Sequence, residues 1–283
     1  MEPSQQTPAP QLARKLEHCC ELLRQGRRVL VAFSGGVDSA FLLALAARTL
    51  GASDALAGIG VSASLPQREL AEARQFARAL GVELVEVQTG ELEDPKYAAN
   101  PANRCYFCKS DLFGRLTDVA KGRGFDVVAS GANADDAGDF RPGLQAGCEL
   151  GVRNPLMDAG LTKDEIRQLS RHMGLATWDK PAMACLASRV PYGEAITEQR
   201  LGRIERSEQA LRDLGFPQVR VRDHDPLARI EVLQERLDSI LAVRDEVLKA
   251  LKANGYTYVT LDLAGFRSGS SNEVLRQLKV PEH

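Results

Sequence analysis

Six consecutive residues, Ser34-Gly35-Gly36-Val37-Asp38-Ser39, have the make-up of a loop that holds phosphate. Two glycines let a backbone turn tightly and approach a ligand closely. Successive N–H groups in such a turn form a nest for an anion, and a helix that starts there aims the positive end of its dipole at the same point. Ser34 and Ser39 add hydroxyl donors. Asp38 is a poor neighbour for phosphate unless a hard cation lies between them, and Mg²⁺ held by a carboxylate and phosphate oxygens is the usual solution. The plainer reading is a helix start with a glycine turn and a capping serine. The full hexapeptide, set between a Val-rich run and a helical stretch, favours the phosphate reading. It is not Gly-x-x-x-x-Gly-Lys-Ser/Thr, and it is not Gly-x-Gly-x-x-Gly. A second segment, Gly131-Ala132-Asn133-Ala134-Asp135-Asp136, follows a later apolar run and by itself reads as a turn.

Cysteines make the second group. Cys105-Tyr106-Phe107-Cys108 places two thiols at a spacing that can share one metal. Alone the motif is half a zinc site, a redox pair or two packed thiols. A second Cys-x-x-Cys pair is missing, and the four histidines (His18, His172, His224, His283) lie elsewhere in the sequence. Cys185, in the segment Lys180 to Glu194, is the candidate third ligand. Cys19, Cys20 and Cys148 are assigned to packing, because a buried free cysteine behaves as a small hydrophobe.

Regular elements must hold these groups in place. Apolar runs at Val29–Phe33, Ala55–Ala63, Val82–Val87 and Asp126–Ser130 read as strands. Helical stretches at Leu12–Gln25, Ser39–Leu50, Pro66–Leu80, Cys105–Lys121 and Leu161–Met173 alternate with them. Thr162 and Glu165 form a capping-box pattern at the last of these. Alternation of this kind implies a parallel sheet covered on both faces, with ligands beyond the carboxyl ends of its strands. After Trp178 the order changes. A loop at 181–196 is followed by a helix (Glu198–Leu214), two short strands (Val219–Arg222, Ala228–Leu233), a helix (Glu235–Ala253) and a strand (Tyr256–Leu263), which suggests a smaller α+β domain. Domains are therefore expected at 1–180 and 197–283, joined by the loop that carries Cys185.

Composition bounds the possibilities. The 283 residues are enough to bury a core without disulfides, and 44% are hydrophobic against 26% charged. The net charge of −2 argues against a nucleic-acid partner held by a basic surface. No run of about 18 apolar residues suggests a membrane span. The polar, Pro-rich Met1–Pro10 lacks the apolar core of a signal peptide, so a cytoplasmic chain with reduced thiols is expected.

The front loop resembles the PP-loop of the N-type ATP pyrophosphatases over roughly Val29 to Leu175, with 131–136 in the place of that family's second nucleotide segment. The resemblance implies an α/β fold, an adenine nucleotide alpha hydrolase-like parallel-sheet domain with a smaller C-terminal α+β domain. It also implies cleavage of ATP between the α- and β-phosphates. On that reading Ser34, Gly35, Gly36, Val37, Asp38, Ser39, Gly131, Asn133 and Asp135 bind ATP, and Asp38 binds Mg²⁺.

The segment Lys180-Pro181-Ala182-Met183-Ala184-Cys185-Leu186-Ala187-Ser188-Arg189-Val190-Pro191-Tyr192-Gly193-Glu194 resembles that of the LarE-type sulfur transferases of nickel-pincer nucleotide biosynthesis. So do Arg220-Val221-Arg222 and Gly265-Phe266-Arg267-Ser268-Gly269. This likeness implies a pyridinium mononucleotide substrate whose two carboxylates are adenylated and converted to thiocarboxylates. Arg220, Arg222 and Arg267 would hold the substrate phosphate as bidentate forks. Ser188 and Arg189 would lie beside the acyl-adenylate. One branch of the family sacrifices the sulfur of a single cysteine at the place of Cys185. The other carries three cysteines around a 4Fe–4S cluster that passes on sulfide, and Cys105, Cys108 and Cys185 match this second pattern. Inorganic sulfide or a sulfur donor protein and a homo-oligomeric assembly are expected with it. Glu208 and Glu231, expected near metal in the family, read from sequence as solvated charges, and Trp178 reads as packing at the domain junction. The rivals are a tRNA thiolase, which calls for a basic RNA surface, an amidating ligase, which needs no cysteine trio, and a nucleotide-binding module without chemistry, which has little use for Asp38.

Overall fold

The computed structural model describes residues 9–138, 141–182 and 184–267. The expectations placed on the first eight residues, on Met183 and on Ser268 and Gly269 lie outside the described residues. The chain forms two compact units, Met1–Glu91 with Asn103–Met183, and Leu92–Ala102 with Ala184–His283. The second unit thus takes in a short stretch that the sequence leaves inside the first. Backbone and side-chain bonds explain it. Asn100 donates from its side chain to the carbonyls of Val190 and Pro191, and its own carbonyl accepts from Gly193 N–H.

In chain order the elements are α1 (Pro10–Gln25), β1 (Val29–Ala32), α2 (Val37–Leu50), β2 (Ala55–Val61), α3 (Gln67–Ala79), β3 (Glu83–Gln88), α4 (Pro95–Ala98), α5 (Arg104–Gly122), β4 (Val127–Ser130), α6 (Pro142–Glu149), α7 (Pro155–Asp158) and α8 (Lys163–His172). There follow α9 (Glu198–Asp213), β5 (Val219–His224), β6 (Leu227–Val232), α10 (Leu237–Ala242), α11 (Arg244–Ala253) and β7 (Tyr258–Leu261). The short helices α4, α6 and α7 are absent from the sequence reading. The expected helix Glu235–Ala253 is broken at Val243 into α10 and α11.

The first unit holds a parallel sheet in the order β3-β2-β1-β4. Alternate strand residues face opposite ways, as strand geometry requires. Val29, Val31, Ala57, Ile59 and Ala129 join α1, α2 and α8 in one core, whereas Leu30, Leu56, Val87 and Val128 join Phe113, Leu116 and Ala120 of α5 in another. Helix α2 has nine buried residues, so it lies inside the unit rather than along its surface. The chain moves outward from β1 to β2 and β3, then returns to place β4 on the other side of β1. The carboxyl ends of β1 and β4 are therefore a topological switch point, where open α/β sheets open a crevice. Thr162 and Glu165 close the expected capping box at α8, and Glu165 also holds Lys15 of α1 through both oxygens.

The second unit has a sheet in the order β5-β6-β7, antiparallel then parallel, packed on α9, α10 and α11 through Leu211, Phe216, Val221, Ile230, Val247, Leu251 and Tyr256. Among the described residues no helix is long and apolar enough to cross a membrane.

Leu116 is fully buried between α5 and the sheet. Leu116→Ala should destabilise the first unit by about 2–5 kcal/mol through the cavity it leaves. Trp178, the chain's one tryptophan, lies in that unit. Its fluorescence in a urea titration should show the midpoint falling, and an unmoved midpoint would contradict the packing described.

Candidate active site

Residues 34–39 link β1 to α2. Gly35 has φ of +73°, the left-handed region that glycine enters at little cost. Gly36 caps α2, and Val37 and Asp38 begin it. Ser39 Oγ accepts from Ser34 N–H at 3.1 Å, lies 3.0 Å from Ser34 Oγ and donates to the Gly36 carbonyl at 3.2 Å. The loop is thus closed on itself before any ligand arrives. Its hydroxyls brace the turn, and its amides gather at the start of a 14-residue helix.

The second segment meets the first backbone to backbone. A Cβ on Gly131 would lie 2.8 Å from Ser39 N and 3.0 Å from Ser39 Cα, so only glycine lets the chain leaving β4 pass this close. Asn133 caps the short turn Ala134–Asp136, and its N–H donates to Asp136 in return. Asp135 accepts from the Lys163 N–H at 2.8 Å, which ties this segment to the start of α8. The Lys163 ammonium in turn reaches Asp38 Oδ2. Asp38 Oδ1 is buried and has no hydrogen-bond partner among the described residues. A buried carboxylate oxygen without a partner is costly, and a hard cation is the partner that a phosphate-facing aspartate can take. The donor set therefore fits Mg²⁺.

Lys163 and Lys180 are functional candidates that the motif reading passed over. Lys163 carried a signal: it is a cation in the first turn of a helix, where the dipole disfavours it. Lys180 lay inside the quoted segment without a role. Its ammonium donates to the Gly35 carbonyl at 3.2 Å and to Glu69 and Glu72 at 2.7 and 2.8 Å.

In the second unit, Cys185 is exposed and precedes a short turn, Leu186–Arg189. Arg189 is buried. It grips Glu208 with Nε and Nη2 and donates from Nη1 to the Ala184 and Cys185 carbonyls and to Ser188 Oγ. Burial works against the Glu208 carboxylate, but Arg189, Arg212 and the Val221 N–H outweigh it and hold its carboxyl below the ordinary value. Arg222 grips Glu231 bidentately at 2.9 Å and donates to the Ser188 carbonyl at 2.8 Å. The reading of Glu208 and Glu231 as solvated charges is corrected here. They are 1% and 0% exposed, because Glu208 on α9 closes a pair with Arg189 of the 186–189 turn, and Glu231 on β6 closes one with Arg222 on β5.

Arg220 differs from its neighbours. It is 7% exposed and lies with its guanidinium 4.3 Å from the Phe266 ring centroid, and it has no hydrogen-bonded partner among the described residues. Burial and then the charges of Arg189 and Arg222 pull its pKa down to about 10. The group stays cationic at neutral pH. Arg267, next to Phe266, is exposed.

Cys105 is exposed on the first turn of α5 and Cys108, three residues on, is half-buried, both in the first unit. Cys185 belongs to the second unit. Among the described residues no three His, Cys, Asp or Glu side chains are gathered into a group that could hold a metal ion. Cys19 and Cys20 are buried as expected, and burial, followed by Cys20 and Asp158, pushes the Cys19 thiol up to about 12. The packing assignment of Cys148 is corrected: it is exposed on α6, a helix the sequence reading did not contain. Trp178 lies under the Arg171 guanidinium, 4.9 Å from its ring.

A family model described as asparagine synthase matches residues 11–136. Over 269 residues the chain is 36% identical to the pyridinium-3,5-bisthiocarboxylic acid mononucleotide synthase of Lactiplantibacillus plantarum, covering 95% of this chain and 98% of that protein. It is 45% identical over 268 residues to the protein slr1717 of Synechocystis sp., covering 93% and 99% of the two chains. To the protein MJ0830 of Methanocaldococcus jannaschii it is 28% identical over 244 residues, covering 86% and 92%. The identity to the synthase runs through both units and well past the span of the asparagine synthase match, so the chain belongs to the family of the pyridinium-3,5-bisthiocarboxylic acid mononucleotide synthase, the LarE-type sulfur transferases.

Proposed function

We propose that this chain is an ATP-dependent sulfur transferase that adenylates the carboxylates of a pyridinium biscarboxylate mononucleotide and converts them to thiocarboxylates. The observation that carries the reading is the contact of Gly131 with the Ser39 backbone. It makes one phosphate site out of two loops at the switch point of a parallel sheet.

On this reading a substrate carboxylate oxygen attacks the α-phosphorus of ATP. The bond to the bridging oxygen breaks, and its electron pair leaves on pyrophosphate. The amides of residues 35–39 face the charge that grows there, and donors preset in this way stabilise a transition state without reorganising. Asp38 would hold Mg²⁺, which supplies charge neutralisation on the phosphate oxygens. Lys163, on the other oxygen of Asp38, would hold that carboxylate in place beside the nucleotide. A sulfur nucleophile next attacks the acyl carbon, and AMP leaves.

In the second unit Arg220 is the best-suited ligand for the substrate phosphate, because Arg189 and Arg222 are already engaged by Glu208 and Glu231. Arg267, exposed and next in sequence to the Phe266 ring on which Arg220 lies, is proposed as a second contact. Arg189 acts through the Cys185 turn, whose carbonyls and serine it holds, and Arg222 acts through the Ser188 carbonyl. For the sulfur source we keep the 4Fe–4S proposal for Cys105, Cys108 and Cys185. It rests on the cysteine pattern alone, and no step is derived through a cluster. Sulfide or a donor protein would replenish the sulfur in a reducing cytoplasm, with the chain assembled as a homo-oligomer.

Pyrophosphate release from ATP is expected to require the pyridinium biscarboxylate mononucleotide and to ignore tRNA. Release driven by tRNA, or none with either acceptor, would overturn the reading. Arg220→Ala should raise the KM for the mononucleotide about tenfold or more with kcat little changed, the mark of lost uniform binding. An unchanged KM would remove Arg220 from the phosphate site. Anaerobic purification followed by iron, sulfide and product counting decides the sulfur source. Several products per chain with about four irons supports the cluster. Iron near zero, with one sulfur lost from Cys185 per chain, replaces it with a sacrificial cysteine.

A further inference from the structure

Lys180 makes three bonds with three ammonium protons, to the Gly35 carbonyl, to Glu69 and to Glu72. Two carboxylates over-neutralise its charge, so it is poorly suited to grip a phosphate itself. Glu69 is only 4% exposed, and burial works against an ionised Glu72, whose carboxyl the bonds from Lys180 and Arg68 still hold below its ordinary value. The ammonium is thus locked in place. Its backbone is locked as well: Arg167 of α8 donates to the carbonyls of Trp178 and Lys180, and the Lys180 N–H donates to the Thr177 carbonyl. A long flexible side chain is here fixed at both ends, and its remaining bond ends on one carbonyl of the phosphate loop.

That carbonyl belongs to the peptide joining Gly35 to Gly36. In a trans peptide the C=O and the following N–H point in opposite directions. Fixing the Gly35 oxygen therefore fixes where the Gly36 N–H points. A Gly-Gly peptide is where such fixing is most needed, because neither residue has a Cβ to resist a flip. Among the described residues, the other hydrogen-bond restraint on the Gly36 N–H is a long contact of 3.4 Å to Ser34 Oγ.

We infer that Lys180 is a positioning residue that holds the Gly35–Gly36 peptide so that the Gly36 amide faces the departing pyrophosphate. The inference deepens the proposed function and rests on its assignment of residues 34–39 to the phosphates of ATP. It assigns Lys180 no contact with the nucleotide and no proton to move.

The test uses the full chain labelled with ¹⁵N-glycine, with inorganic pyrophosphate and AMP as probes. In the ligand-free protein, Lys180→Met should shift the Gly36 amide resonance. Calorimetry should show pyrophosphate binding weakened at least tenfold and AMP binding changed less than twofold. Removing the lysine leaves Glu69 buried without its cation, so a second variant, Lys180→Met with Glu69→Gln and Glu72→Gln, takes away those charges too and should show the same losses. A Gly36 amide that stays in place without ligand, or pyrophosphate affinity within twofold of the parent in the triple variant, would overturn the inference. Neither probe needs the pyridinium acceptor, so failure of that acceptor to drive pyrophosphate release sinks the substrate assignment and leaves this result standing.

Discussion

The closest constraint in the first unit is the approach of two backbones where β1 and β4 end side by side. Gly131 passes within a distance of Ser39 that any Cβ would forbid. That approach depends on the return of the chain across β1, which sets β4 beside it, and on the packing of α2 and α5 on opposite faces of the sheet. It brings two polar loops to one point, each of which alone would be an ordinary turn. The amides of residues 34–39, the Asp38 carboxylate and the Asp135–Lys163 tie all take their positions from it.

Charge in the two units is arranged by different rules. Beside the phosphate loop one pair is partly solvated: Lys163 sits on one oxygen of Asp38, and the other oxygen has no partner among the described residues. In the second unit the pairs Arg189–Glu208 and Arg222–Glu231 are almost fully buried. Breaking one side of such a pair typically costs about 3–5 kcal/mol, because the remaining charge stays buried. Those arginines therefore act as struts for the Cys185–Arg189 turn. Arg220, between them in sequence, has no hydrogen-bonded carboxylate among the described residues and lies on the Phe266 ring instead. Arginines two residues apart on one strand thus have different duties, set by what each side chain meets.

Backbone carbonyls are the common target of the cations. Lys180 ends on Gly35, Arg222 on Ser188 and Arg189 on Ala184 and Cys185. A cation on a carbonyl fixes a peptide plane, and a peptide plane fixes the next amide. The Gly35–Gly36 turn and the Cys185–Arg189 turn are both held in part by this means.

Read along the chain alone, the residues reveal the parallel α/β unit, its four strands, the Gly-Gly turn at 34–39, the capping box at Thr162 and the family. All of these rest on local signals: apolar period, glycine pairs, caps and contiguous motifs. Which charges are partners depends on how the elements pack. Glu208 and Glu231 look like solvated charges along the chain, yet they are buried, because burial depends on what packs across α9, β5 and β6. Lys163 and Lys180 reach Asp38 and Gly35 over 125 and 145 residues of sequence. No periodicity encodes such a pairing, since it arises only when separate elements meet in space.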